Sequence, residues 1–247
     1  METQRAERPS FLIVGAAGGI GESLTRSLSQ TGARLVLAGR TEQPLRHLAG
    51  QVDGEVIVAD ATSFESVDAL FDAAGPLDGV VNLCGSILLK PAHQTSEAEF
   101  HDTIALNLTT SFAIVRKASA VLRKRGGSIV LMSSAAASIG LANHEAISAA
   151  KAGVEGLVRA AAATYASYGV RVNCVAPGLV NTPLASGITS NATALKASTA
   201  MHPLRRIGEP GDVARVIEWL LGADASWITG QTLGVDGGLA RVRSRTA

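Results

Sequence analysis

The chain has 247 residues, 47% hydrophobic and 17% charged, too apolar for a disordered chain and too interrupted by Gly, Asp and Arg for a membrane-embedded one. Lysine and arginine number 22 against 21 aspartates and glutamates, a net charge of +1, so no sequence-wide field draws it to nucleic acid or to an anionic membrane. Its two cysteines, Cys84 and Cys174, lie in apolar runs, and the opening METQRAERPS has no apolar core behind a basic start, features that read as a cytoplasmic, disulfide-free protein.

Short apolar and β-branched runs alternate with longer helical stretches. The runs fall at 11–14, 34–38, 55–59, 79–83, 128–132, 170–175 and 232–235, and the helical stretches at 20–31, 63–74, 97–122, 144–167 and 210–221. Continuous apolar strands between helices predict a parallel sheet covered on both faces, hence a single α/β domain with a doubly wound, seven-stranded sheet. No Pro, Gly or Ser-rich linker divides the chain, and no internal repeat is visible. The segment 184–203 is small, polar and weakly periodic; it reads either as a substrate lid or as a surface excursion. Lys196 is its only charge, which points to a neutral small molecule as partner. No His, Cys or carboxylate cluster has the spacing of metal ligands.

The first strand runs into Gly15-Ala16-Ala17-Gly18-Gly19-Ile20-Gly21 and then a helix. Glycines there permit a tight turn and let backbone N–H groups approach a pyrophosphate, while the helix N-terminus adds partial positive charge. At the end of the second strand stands Gly39-Arg40 rather than a carboxylate. An arginine attracts a 2′-phosphate that a carboxylate would repel, so NADP(H) is preferred, with NAD(H) still open.

From about residue 9 to residue 240 the chain resembles the short-chain dehydrogenase/reductases. The resemblance rests on Gly15, Gly19 and Gly21; on Asn82-Leu83-Cys84-Gly85 after the fourth strand; on Asn107; on Ser133-Ser134; on Lys151; on Asn173 to Gly178; and on Gly230-Gln231 through Asp236-Gly237-Gly238. It implies a Rossmann fold and a homo-oligomer, a tetramer or dimer packed through the helices around 105–122 and 153–165. It also implies a cofactor site at Gly15, Gly19, Ile20, Gly21, Arg40, Asp60, Ala61, Asn82, Gly85, Lys151, Pro177, Gly178, Val180 and Thr182. Asp60 and Ala61 would lie at the adenine, and Pro177, Gly178, Val180 and Thr182 around the nicotinamide. Val14 stands where the family usually has Thr.

Family members that reduce carbonyls use Asn, Ser, Tyr and Lys, the Tyr phenol giving its proton beside the Lys ammonium. Asn107, Ser134 and Lys151 match three of these. The fourth, four residues before Lys151 on the same helix face, is Ile147, which has no proton to give. The two tyrosines, Tyr165 and Tyr168, lie about 20 Å or more further along the helix at 1.5 Å per residue. Three readings follow. In the first, a nicotinamide-dependent oxidoreductase interconverts a small carbonyl and its alcohol, the proton coming from Ser134, from a water held by Lys151 and Asn107, or from His144 near the same helix face. In the second, the chain binds dinucleotide without catalysis, as a sensor or silent subunit. In the third, the site runs a non-redox reaction.

Overall fold

The computed structural model describes residues 8–243. Seven parallel strands form one sheet: β1 (Ser10–Val14), β2 (Arg34–Gly39), β3 (Glu55–Val58), β4 (Gly79–Asn82), β5 (Gly127–Met132), β6 (Val170–Pro177) and β7 (Thr232–Val235), in the order β3-β2-β1-β4-β5-β6-β7. Side chains alternate across the pleat, so an interior strand such as β1 feeds two cores. Phe11 and Ile13 of β1 enter the core beneath α1 (Gly19–Gln30), α2 (Glu42–Val52) and a C-terminal helix at 210–221. Leu12 and Val14 enter the opposite core, with α3 (Phe64–Ala74) and the helices at 110–122 and 145–165. Both faces are therefore covered, and all five residues of β1 are buried.

Strand order reverses between β1 and β4, so the chain leaves their carboxyl ends in opposite directions and opens a crevice there, the position at which doubly wound sheets bind ligands. A backbone bond from Leu83 N–H to Val14 C=O, 2.9 Å, holds the two exits side by side. The last strands extend this edge: β6 runs two residues beyond its expected end because Ala176 and Pro177 pair with Gly234 and Val235 of β7.

Helix α2 is not among the expected helical stretches, and two further stretches differ from the sequence expectation. The helix expected at 97–122 is three pieces, α4 (Glu97–Ile104), a wider π turn (Ala105–Thr109) and α5 (Thr110–Leu122). Here the Asn107 amide donates to Thr103 C=O (2.9 Å), and the Thr110 and Ser111 hydroxyls donate to the carbonyls of Leu106 and Asn107, 2.9 Å each. Side chains thus compete with the helical backbone, and the ladder widens locally. After α6 (Glu145–Tyr165), the segment 184–203 contains α7 (Ser186–Thr189) and α8 (Ala192–Met201). Asn191 caps α8 by accepting from Thr193 N–H and Ala194 N–H, both at 3.0 Å. No residue of α8 is buried, which is why its sequence lacks periodicity. The last helix, α9 (Pro210–Leu221), packs along α1, where the Ser27 hydroxyl donates to Glu218. No described helix is long and apolar enough to cross a membrane.

Leu12 is fully buried at the sheet centre, whereas Leu204 is exposed. Leu12→Ala is expected to cost about 2–5 kcal/mol through lost burial and the cavity left behind, and Leu204→Ala less than about 0.5 kcal/mol. Denaturant unfolding midpoints of the two variants check the difference.

Candidate active site

The turn after β1 is built on backbone contacts. Gly15 sits at φ +85°, and the N–H groups of Gly15 and Ala16 both donate to Ala38 C=O at the end of β2, at 2.8 and 3.3 Å. A Cβ at Gly21 would lie 2.4 Å from Gly15 C=O, so only glycine lets the helix start so close beneath the turn. No side chain caps α1. Its first-turn N–H groups, at Gly19, Ile20 and Gly21, therefore face the crevice as free donors with the helix dipole behind them, a cradle suited to a pyrophosphate.

A cleft of about 190 Å³ opens from this turn. Gly15, Gly19, Ile20 and Gly21 form one wall, Gly85, Asn107 and Lys151 its floor, and Pro177, Gly178, Val180 and Thr182 the opposite side. Ser134 and Ile147 close its inner end. Four expected cofactor residues stand outside this cleft. Arg40 is exposed at the end of β2, with no ion-pair partner among the described residues. Asp60, after β3, accepts from Thr62 N–H (2.9 Å) and Thr62 Oγ1 (2.7 Å). Those two bonds, with the Arg40 charge adding, hold its carboxyl below the usual aspartate range. Ala61 beside it is buried. Asn82 is 1% exposed, and its side chain is spent within the fold: Nδ2 donates to Thr110 and Ser111 hydroxyls, and Oδ1 accepts from Cys84 N–H at 3.2 Å. It shapes the turn that carries Gly85 rather than lining the cleft.

Lys151 reaches the cleft from the buried face of α6 with 5% of its surface exposed, and its Nζ donates to Met132 C=O at 2.8 Å. Burial pulls its pKa down to about 8. Asn107 comes from the π turn. Its Oδ1 accepts from Ser86 N–H at 3.2 Å and its Nδ2 donates to Ser86 Oγ at 3.0 Å, so the amide holds the loop after β4 against the floor. A Cβ at Gly85 would lie 2.9 Å from Asn107 Oδ1 and 3.4 Å from Lys151 Nζ; the bare backbone at this position lets the three meet. Ser134, following β5, accepts from Ala136 N–H at 3.2 Å and keeps its hydroxyl proton available. Its neighbour Ser133 donates to Glu155 at 2.8 Å.

Ile147 lies one turn before Lys151 on α6 and is 5% exposed. Tyr165 packs against the core that holds Leu12 and Val14, Tyr168 is exposed, and neither phenol lines the cleft. Ile147, Ser134 and Gly178 are shared with a second cavity of about 490 Å³, walled by Ile87, Leu89, Leu141, Ile188 and Met201 and lined by no Lys, Arg, Asp or Glu. Ser134 is the one polar side chain common to both cavities. His144, at the N-cap of α6, lines the second cavity and donates from Nδ1 to Ala142 C=O at 2.7 Å, which leaves its Nε2 as an acceptor. A larger surface groove of about 770 Å³ beside α2 contains none of these side chains. No group of His, Cys, Asp or Glu among the described residues could hold a metal ion.

The structure also brings in His202, which the sequence reading did not single out. It is 3% exposed, donates from Nδ1 to Ser198 C=O at 2.6 Å and accepts at Nε2 from Leu179 N–H at 3.2 Å. Leu179 lies 23 residues away, so no local pattern marks the pairing.

Comparison with known proteins agrees with this geometry. The family model described as enoyl-(acyl carrier protein) reductase matches residues 15–240. The chain is 38% identical to cis-4-hydroxycyclohexanecarboxylate dehydrogenase of Sinomonas cyclohexanicum, over 96% of this chain and 98% of that protein. It is 34% identical to 3beta-hydroxysteroid dehydrogenase 1 of Eggerthella lenta, over 93% of each. Among solved structures, an actinorhodin polyketide ketoreductase variant with NADPH superimposes with a TM-score of 0.90 at 30% identity, covering 98% of this chain and 100% of that one. The chain belongs to the short-chain dehydrogenase/reductase family. It is an oxidoreductase acting between hydroxyl and carbonyl groups, on a fold that binds a nicotinamide dinucleotide.

The buried Lys151 links the site to stability. Its pKa is about 8 in the fold against an ordinary 10.5, so between those values the unfolded chain binds the extra proton and this group's contribution to stability rises with pH. Lys151→Met should abolish that part of the slope. Unfolding midpoints of wild type and variant at pH 8 and pH 10 measure it.

Proposed function

We propose that the chain interconverts an uncharged, ring-bodied ketone and its alcohol with NADP(H), drawing the proton from Lys151 instead of a phenol. The nicotinamide supplies the hydride in reduction and accepts it in oxidation. The carrying observation is that Lys151, Asn107 and Ser134 still meet in one cleft while Ile147 occupies the helix position from which a phenol would act. An ammonium with a pKa of about 8 is charged at neutral pH yet gives up its proton far more readily than an ordinary lysine. Ser134, facing both cavities, is placed to orient a carbonyl whose carbon skeleton lies beyond Ile147 and to pass the proton inward. His144, which also lines the apolar side, is the alternative proton source.

The substrate class is supported by the walls of the second cavity, which offer apolar surface and no fixed charge. The two relatives named above act on a cyclohexane ring and a steroid by their names. A carboxylate such as the first of them carries would find no cation in these walls, so neutral rings are preferred here. The segment 184–203 supplies Ile188, Ala194 and Met201 to the cavity and serves as its lid. NADP(H) preference is supported by the exposed Arg40, which has no ion-pair partner among the described residues, and by Gly39-Arg40 standing at the end of β2 in place of a carboxylate. A cytoplasmic homo-oligomer, packed through α5 and α6, completes the reading; Phe112 of α5 and Ala160 and Ala163 of α6 are exposed for that contact.

A steady-state NADPH oxidation assay over paired cyclohexanones, with and without a ring carboxylate, tests the reaction. Turnover is expected for the neutral members, falling as pH rises through about 8, where Lys151 loses its proton. Ile147→Tyr is expected not to raise turnover, since Lys151 already supplies the proton; a rise of about 10²-fold or more would show that the site lacks a proton donor and would overturn the assignment to Lys151. Failure of every neutral ring to oxidise NADPH overturns the reading. A loss of all activity in His144→Ala with an unchanged pH profile in Lys151→Arg would move the proton source to His144.

Arg40→Ala is expected to weaken NADPH binding by roughly 10- to 100-fold, the value of hydrogen bonds to a charged group, and to leave NADH binding unchanged. Fluorescence titrations with the two cofactors give the comparison.

A further inference from the structure

The backbone from Pro177 to Thr182 forms one side of the cofactor cleft and spans it to the glycine turn: a Cβ at Gly19 would lie 2.9 Å from Thr182 Cγ2. Two anchors hold this span. On one side Gly208 accepts from Asn181 N–H and donates to Leu179 C=O, each at 2.8 Å. On the other, Leu179 N–H donates to His202 Nε2. The imidazole closes the contact tightly, since a Cβ on Gly178 would fall 2.4 Å from Nε2. At its other nitrogen His202 donates to Ser198 C=O in the last turn of α8, whose Ala197, Ser198 and Met201 form a wall of the apolar cavity.

We infer that His202 is a positioning residue that couples the wall of the substrate cavity to the nicotinamide side of the cofactor cleft. This inference rests on the proposed nicotinamide-dependent reaction. The role requires one donor and one acceptor at opposite edges of a small planar group, which neutral imidazole provides with Nδ1 protonated. An apolar replacement leaves two partly buried backbone groups without these partners, Leu179 N–H and Ser198 C=O, and frees the span to drift. The adenosine end of the cofactor site lies at β2 and β3, remote from this contact, and is indifferent to it.

Three variants separate positioning from general loss of structure. His202→Leu removes both bonds. His202→Gln keeps an acceptor long enough to reach Leu179 N–H. His202→Asn, with a shorter amide, reaches Ser198 C=O alone and keeps the site polar should the leucine variant fold poorly. Affinities for NADPH and for adenosine 2′,5′-bisphosphate, which carries only the adenosine end, are measured by titration, and exchange of the Leu179 amide by hydrogen–deuterium NMR. The leucine and asparagine variants are expected to lose roughly tenfold in NADPH affinity, the value of about one hydrogen bond, to exchange Leu179 at least about tenfold faster, and to keep bisphosphate affinity; glutamine should recover both losses. Parallel losses for both nucleotides, or unchanged NADPH affinity in the leucine and asparagine variants, would overturn the inference while the functional reading stands. A wild type that binds the bisphosphate but gains nothing from the nicotinamide half would overturn the functional reading itself, and the coupling with it.

Discussion

A lysine taken out of water sets the terms for the rest of the site. Moving an ammonium into a protein interior is costly unless its surroundings are arranged for it. Around Lys151 they are arranged by four elements at once. β5 ends so that Met132 C=O receives the Nζ proton. α6 carries the side chain on its buried face. The π turn swings Asn107 under the loop after β4, and the missing side chain at Gly85 lets that loop descend onto both groups. The widened helical turn, an irregularity if viewed alone, is thus part of how a charge is accommodated. The depressed affinity of Lys151 for its proton is the electrostatic record of what remains uncompensated.

Ile147 changes the character of the partition between the two cavities. A branched hydrocarbon at this point stands between a side that carries backbone donors and Lys151 and a side whose walls hold no Lys, Arg, Asp or Glu. The polar side chain that lines both is Ser134. Cys84 adds no competing reactivity on the polar side, because burial pushes its thiol up to about 11 and keeps it protonated.

Sequence reading reached those features whose causes are local. The alternation of Phe11 and Ile13 against Leu12 and Val14 already divides the two cores, and the glycine turn is recognisable because strand, turn and helix follow one another without interruption. The shared helix face of Ile147 and Lys151 follows from spacing alone. Helix α2 was missed although Leu45, Leu48 and Ala49 bury its inner face, because a short helix with three apolar contacts barely rises above a polar loop. The π turn was invisible because Asn107, Thr110 and Ser111 have the same spacing whether their side chains face solvent or compete for carbonyls. Asn82 matched a motif, yet its amide works beneath the cleft, since spacing does not tell which way a buried polar group turns. His202 escaped because its partner is far away in the chain and the segment that carries it shows no period.

That segment has a further consequence. Helix α8 contributes walls to the apolar cavity while burying none of its own residues in the body of the protein. Its composition is therefore nearly uncoupled from the stability of the sheet. Substitutions there can reshape what the cavity admits at little thermodynamic risk, whereas changes around Lys151 disturb a charge held in a tightly packed interior. The architecture separates a part that is free to diversify from a part that is not, so the walls of the apolar cavity can change without disturbing the packing around Lys151.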